Sequence, residues 1–506
     1  MQSRRDQVQA YSFTVERLTT SMLAADPDLI ETPMGRTRRG TAIGLVIALL
    51  LCVGYTVYGL LFSSGSNAWS KPGTLIVEKD TGARYLYGGG VLRPVVNYAS
   101  AKLILGKGGK TEDVSRSTLA DVPRGAPIGI PGAPDSLPSA DQLTDAAWEV
   151  CATSRTDDDG SRRPTTTLGV GITPGDQKAL GADEALLVKA AGGDSKDSTD
   201  YLLWQGRRLR LDDEHGALQS LGYGTTDPVD VGNAFLAPIP AGADLAPPEV
   251  QGRGTQGPTL AGEQRRVGQY FVVHAPGAAD QHYLLTGEGL VPLTTTELQL
   301  VRGDPRTSKE AYAGKEAVAV ELQPNEIREH AAPGHKGAAT NDELPTRPPE
   351  ALAPRTGTVP CLRVIPNGST PQYAFTQAPA ALVTGQAPPA RQGIAAGCPA
   401  PDLIGARPGG GVLVASTSTG TGISGVRYLV TGDGIKYPLS AASVVEQLSY
   451  GDSDLVQLPS ALLRLLATGP VLDPERAARP ALSGPAAATA DPECGGEGKE
   501  VSKGAS

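Results

Sequence analysis

RYLVTGDGIKYPL, Arg427–Leu439, states a phrase that this chain uses four times. HYLLTGEGLVPL begins at His282, RYLYGGGVLRPV at Arg84 and DYLLWQGRRLRL at Asp200. Each copy has Tyr-Leu, a small or polar stretch, then an apolar residue ten positions after the tyrosine (Val95, Leu211, Leu293) or eleven (Leu439). A second apolar run and a polar turn precede every copy, as in TLIVEKDTGA and YFVVHAPGAAD. Such runs broken by Gly, Asp and Ser predict hairpins. Short helical candidates follow: YASAKLILG, EHGALQSLGYG, TTELQLVRG and SAASVVEQLSYG. The expected unit is therefore three strands and a helix. One small sheet with one helix is marginal alone, so the copies must pack on one another or on a common core.

Tyr85, Tyr201, Tyr283 and Tyr428 are 116, 82 and 145 residues apart, which is no solenoid or propeller period. Two insertions break the spacing, one around AAWEVCATS and one around VPCLRVIP. We expect them to meet as one central domain interrupted by copies two and three. The division expected along the chain is 1–40 an N-terminal amphipathic helix, 41–62 a transmembrane helix, 63–140 module 1 and 141–185 the first part of the central domain. It continues with 186–255 module 2, 256–325 module 3, 326–408 a linker and the second part of the central domain, 409–473 module 4, and 474–506 a disordered tail. The fold class expected is α+β: one transmembrane helix, then a β-rich central domain surrounded by four sheet-plus-helix modules.

Ala42 to Phe62 contains no charge and matches the roughly 20 residues that span a bilayer. Arg36, Arg38 and Arg39 crowd its leading edge, and the nearest cation after it is Lys71. That asymmetry places the N-terminus in the cytoplasm and the bulk of the chain beyond the membrane. A cleaved signal peptide is the other reading, but the run is long for one and some forty residues precede it. Before the run, Val8, Tyr11, Val15, Leu18 and Met22 recur at three and four, forming one apolar stripe on a helix that ends near Asp26 and Pro27. A lone helix cannot hide such a stripe, so it lies on the membrane or docks on a partner, and the few basic residues on its polar side favour a partner-docking stripe.

A net charge of -9 without a run of five Lys or Arg excludes a nucleic-acid partner. Cys52 lies within the membrane run; Cys151, Cys361, Cys398 and Cys494 lie beyond it, an even number with three possible pairings. Without CxxC or Cys/His spacing, disulfides are expected and a metal is not. LGKGGKTEDV from Leu105 resembles a phosphate loop, but Ile104 stands where its first glycine is needed and no helix is predicted after Lys110. His330 and His335 fall in a Pro/Gly-rich stretch, DDDG at Asp157 lacks calcium-loop spacing, and no nucleophile elbow is present. No catalytic residue and no cofactor are expected.

SRRDQVQAYSFTVERLTT, the single helix led by MGRTRRG, WSKPGTLIVEKDTGARYLYGGGVLRPVVNYASAKLILG, VPRGAPIGIPGAPDSLP, the WEVC segment and RYLVTGDGIKYPLS together resemble EccB, a membrane component of the type VII (ESX) secretion machinery of actinobacteria. The resemblance covers residues 2 to 473. It implies a disulfide between Cys151 and Cys361, leaving Cys398 with Cys494 by elimination. It also implies modules similar to peptidoglycan-binding subunits of phage lysins, homo-oligomerisation, and assembly with EccC, EccD and EccE, the EccC ATPase supplying the energy of export. ATPase activity has been attributed to the family, but this chain offers no acceptable nucleotide motif for it. Copy two departs from the family pattern, since DYLLWQGRRLRL lacks the acidic-Gly turn. The function expected is that of a structural subunit anchoring and scaffolding the translocation channel; the alternatives are a cell-wall-binding membrane protein and a nucleotide or glycan hydrolase.

Overall fold

Helix α1 (Arg4–Ala24) stops where Ala25 turns to a φ of +53°, just before Asp26 and Pro27. Helix α2 (Pro33–Phe62) opens on a proline, whose missing N–H costs nothing in a first turn. It begins nine residues before the apolar run, so the arginine cluster is itself helical. The computed structural model describes residues 4–25, 33–62, 67–175, 177–191, 198–274, 277, 279–333, 343–368, 370–418 and 422–481. The chain forms two units, Met1–Lys71 with Val114–Asp121, and Pro72–Asp113 with Val122–Ser506.

Module 1 comprises β1 (Thr74–Glu78), β2 (Arg84–Gly88), β3 (Val91–Pro94), α3 (Tyr98–Leu105) and β4 (Lys110–Val114), followed by α4 (Arg116–Leu119). The hairpin β5 (Trp148–Thr156) and β6 (Arg162–Val170) starts a central sheet. Module 2 has β7 (Glu184–Ala190), β8 (Asp200–Trp204), β9 (Arg207–Arg210), α5 (Ala217–Ser220), β10 (Val229–Val231) and α6 (Asn233–Leu236). Module 3 opens with an extra hairpin, β11 (Gln256–Leu260) and β12 (Glu263–Arg266). It continues through β13 (Tyr270–Val273), β14 (Gln281–Thr286), β15 (Gly289–Leu293), α7 (Thr295–Gly303), β16 (Val320–Glu321) and α8 (Pro324–His330). Strand β17 (Glu350–Leu352) then returns to module 2, and β18 (Thr358–Ile365), β19 (Gln372–Pro379) and β20 (Leu403–Ala406) complete the central sheet. Module 4 is β21 (Gly411–Ser418), β22 (Gly422–Thr431), β23 (Ile435–Pro438), α9 (Ser443–Gln447), β24 (Leu455–Pro459), α10 (Ser460–Leu463) and β25 (Ala467–Thr468), with α11 (Pro474–Ala477) after it.

The repeated phrase is the second and third strand of each module with the turn between them. Gly89-Gly90 and Gln205-Gly206 are two-residue loops with every φ positive, the backbone that matches strand twist. Gln205-Gly206 thus does the work of the missing acidic-Gly pair. Gly206 has no substitute, because a Cβ there would lie 2.8 Å from the Tyr373 carbonyl oxygen on β19. Copy four inserts a third loop residue, Gly432-Asp433-Gly434, with Gly434 at φ +76°. Its apolar position accordingly falls eleven residues after the tyrosine instead of ten.

Each module also has a fourth strand that the pattern of apolar runs does not predict. Modules 1 to 4 place β4, β10, β16 and β24 beside their first strands, parallel in modules 2, 3 and 4. KTEDV, VDV, VE and LVQLP are short or polar, and a parallel partner reached through a helix leaves no hairpin signal.

The central sheet runs β19-β18-β5-β6-β20, with Cys151 opposite Cys361. One core joins it to modules 2 and 4: Trp148, Val150 and Leu362 meet Leu186, Val188 and Leu203 from module 2, and Val412, Val414 and Val430 from module 4. Alternate residues of β7, Ala185 and Leu187, point instead at α5. Strands buried on both faces read as unbroken apolar runs, which is why ALLV and VLVA show no alternation. Beyond this core the helices pair the modules. Ala99 and Leu103 of α3 lie in the core of module 4 with Val444 and Leu448, and Leu300 of α7 lies in that of module 2 with Ala217 and Leu221.

Two expected irregular stretches are ordered in part. Asp473 caps α11, Ala477 is fully buried against α3, and Ala481 N–H bonds Pro127 O, so the expected tail is packed as far as Ala481. The rest of it lies outside the described residues. In the expected linker, α8 accompanies module 3, Leu344 is buried in the core of module 2, and β17 pairs with β7. Both stretches are too short and polar to show periodicity, and long-range packing orders them.

Candidate functional site

The five stripe residues of α1 occupy an arc of about 80° at 100° per residue. Val8, Tyr11, Val15, Leu18 and Met22 are all exposed, between 44% and 80%. Away from the stripe Glu16 takes a hydrogen-bonded ion pair from Arg38 at 2.8 Å, and Thr20 is buried. The root of α2 thus engages the polar side of α1 and leaves the apolar side open. Phe13 and Leu23 are exposed apolar residues outside the stripe, which the three-and-four spacing passes over. Arg38–Tyr58 of α2 has a mean hydropathy of 2.2 and is exposed throughout. It is the one helix among the described residues long and apolar enough to cross a membrane.

On the other unit, the disulfide Cys151–Cys361 ties β5 to β18 across a sequence separation of 210. Beside it lies a polar network that the apolar pattern of WEVCA concealed. Glu149 is buried, its Oε1 accepting from Arg363 Nε at 2.6 Å and its Oε2 from Gln177 Nε2 at 3.4 Å. Gln177 Oε1 in turn accepts from Thr376 Oγ1 at 2.6 Å. Burial pushes the Glu149 carboxyl above its ordinary range against the pull of Arg363. The only sequence signal was one acidic residue inside an apolar strand. Glu149, Cys151 and Cys361 are close enough to share a metal ion, but the sulfurs are joined to each other and the carboxylate is paired. Cys398 is also disulfide-bonded, Cys52 is free on α2, and Cys494 lies outside the described residues.

The segment resembling a phosphate loop turns after α3 at Gly106 and enters β4 at Lys110, whose N–H donates to Gly73 O at 3.0 Å. A phosphate loop needs a helix there, whose amides converge on the anion. DDDG is the hairpin turn between β5 and β6, with Gly160 N–H on Asp157 O at 2.9 Å. His330 ends α8 and His335 lies outside the described residues.

Residues 1–481 match the sequence profile of the family described as type VII secretion system ESX-1, transport TM domain B. The chain belongs to that family. It is 29% identical over 310 residues to the ESX-5 secretion system ATPase EccB5 of Mycobacterium tuberculosis, a stretch covering 59% of each chain. Against the ESX-3 secretion system ATPase EccB3 of Mycolicibacterium smegmatis it is 25% identical over 492 residues, 92% of this chain and 89% of the relative. A chain in the structure of an intact ESX-5 inner membrane complex has the same fold, with a TM-score of 0.61 at 23% identity over 96% of this chain and 97% of that one. A chain of the EccB3 dimer from the ESX-3 core complex has a TM-score of 0.61 at 24% identity, covering 80% of this chain and 99% of the other. The family's description names a transmembrane domain, and α2 is the candidate span for it among the described residues.

Proposed function

We propose that the chain is a structural subunit of a type VII secretion membrane complex, anchored by α2 in the inner membrane with α1 in the cytoplasm and the modules on the far side. One observation carries this reading: α1 presents five apolar side chains to solvent while Arg38 holds its polar flank. An apolar face of that kind is covered in the assembled state, and the components implied are of the EccC, EccD and EccE kind, with further copies of this chain. The modules act as a scaffold, since modules 2 and 4 share one core with the central sheet and cannot move separately from it. The same reading joins Cys398 to Cys494.

An ATPase is the second reading, because the relatives carry that word in their names. Lys110 and Thr111 opening a strand favour the scaffold over it. Purification in mild detergent tests both. Co-isolation of a large multi-protein assembly supports the scaffold; a chain isolated alone that turns over ATP overturns it.

A further inference from the structure

A cavity of about 540 Å³ lies on the outer face of the central sheet, opposite the shared core. Its floor is made by Glu149 and Cys151 of β5 and Thr167 and Gly169 of β6, which face each other in register. Leu382 to Ala387 forms one wall, held to the sheet by reciprocal hydrogen bonds between Gln386 and Ile404. At the rim Arg391 and Asp433 pair at 3.3 Å, and beyond them lies a second cavity of about 570 Å³. The volume is in the range of small-ligand sites, which combine an apolar wall with a few convergent polar groups.

Thr167 is 4% exposed and its Oγ1 has no hydrogen-bond partner. A hydroxyl buried in that state is costly, and its position in a cavity wall supplies the reason for it. Next to it, Glu149 Oε2 has only the long contact to Gln177, while Oε1 is committed to Arg363. The charges of the wall are already matched, Glu149 by Arg363 and Asp433 by Arg391. A charged ligand would leave one of them uncompensated, so the occupant is neutral. It must offer an acceptor to the Thr167 O–H and a donor to the Glu149 carboxylate, and small apolar groups to Ile172, Leu382 and Val383.

We propose that this cavity binds an uncharged polypeptide segment, whose backbone C=O accepts from Thr167 and whose N–H donates to Glu149. The inference stands apart from the assembly reading, since it concerns one face of the central sheet of a single chain. The test is a ligand-observed NMR titration of the full chain in detergent with the end-blocked peptide N-acetyl-Ala-Val-Ala-methylamide. Saturable binding is expected, weakened about tenfold by Thr167→Val, which keeps the shape and deletes one hydrogen bond. Ala387→Trp, at an exposed position of the wall, should block binding with thermal unfolding unchanged. Absence of saturable binding, or binding unaffected by both substitutions, would overturn the proposal. So would a preference for N-acetylglucosamine, which carries the same amide group on a sugar, over the peptide.

Discussion

Gly303 at the end of α7 packs so tightly on Ser220 of α5 that a Cβ built on it would lie 2.5 Å from the serine Cβ. Modules 2 and 3 therefore meet at a point where only hydrogen fits. Gly303→Ala should destabilise the chain by about 1–3 kcal/mol through overpacking. Urea unfolding measures it, and adding Ser220→Gly should recover most of the loss; recovery of none would show that the contact is not the cause.

The Cys151–Cys361 bond closes a loop of more than two hundred residues, given the separation of 210. In the chain-entropy account such a link stabilises by about 5 kcal/mol, and native disulfides typically contribute about 2–5 kcal/mol. Cys151→Ala with Cys361→Ala should lower the urea midpoint accordingly. Peptide mapping without reductant should recover the two half-cystines as one linked species.

Arg363 is the only cation joined to buried Glu149 among the described residues. Arg363→Met leaves that carboxylate uncompensated, and a loss of about 3–5 kcal/mol is expected near neutral pH. Equilibrium unfolding should register it, with a smaller loss in acid, where the stranded carboxyl can take up a proton.

Since burial raises the Glu149 pKa above 4.5, the folded chain holds this proton more tightly than the unfolded one. The stabilising contribution of the protonated form is complete below the unfolded value and disappears as pH rises through the folded value. Relative to Glu149→Gln, wild type should lose stability as pH climbs from 4.5 toward neutrality. Parallel urea midpoints for the two proteins across this window would contradict the raised pKa.

Leu18→Asp with Met22→Asp places two charges on the exposed apolar stripe of α1, within the first unit. The variant should separate from its partner components in mild detergent, with the far-side modules still folded by limited proteolysis. Retained assembly would count against docking through this stripe.

Much of this architecture was legible because its determinants are local. Apolar runs and glycine turns mark the three meander strands of each module, and the two-residue and three-residue loops account for the ten-against-eleven spacing. The stripe from Val8 to Met22 was readable for the same reason, since helical periodicity puts it on one face whatever lies around it. Glu149 and Thr167 were not readable as a site. They sit on the two strands of one hairpin, and the wall that makes a cavity of that surface, Leu382 to Ala387, comes from more than two hundred residues away.

Sequence by itself determined the membrane span, the four meanders and the turns, all set by interactions within some twenty residues. Tertiary structure alone decided that module 1 packs on module 4 and module 2 on module 3, that a fourth strand closes beside each first strand, and that Ala477 is buried. Those outcomes depend on apolar faces that look alike in sequence. Which face covers which is settled only by fit, as where Gly303 admits Ser220.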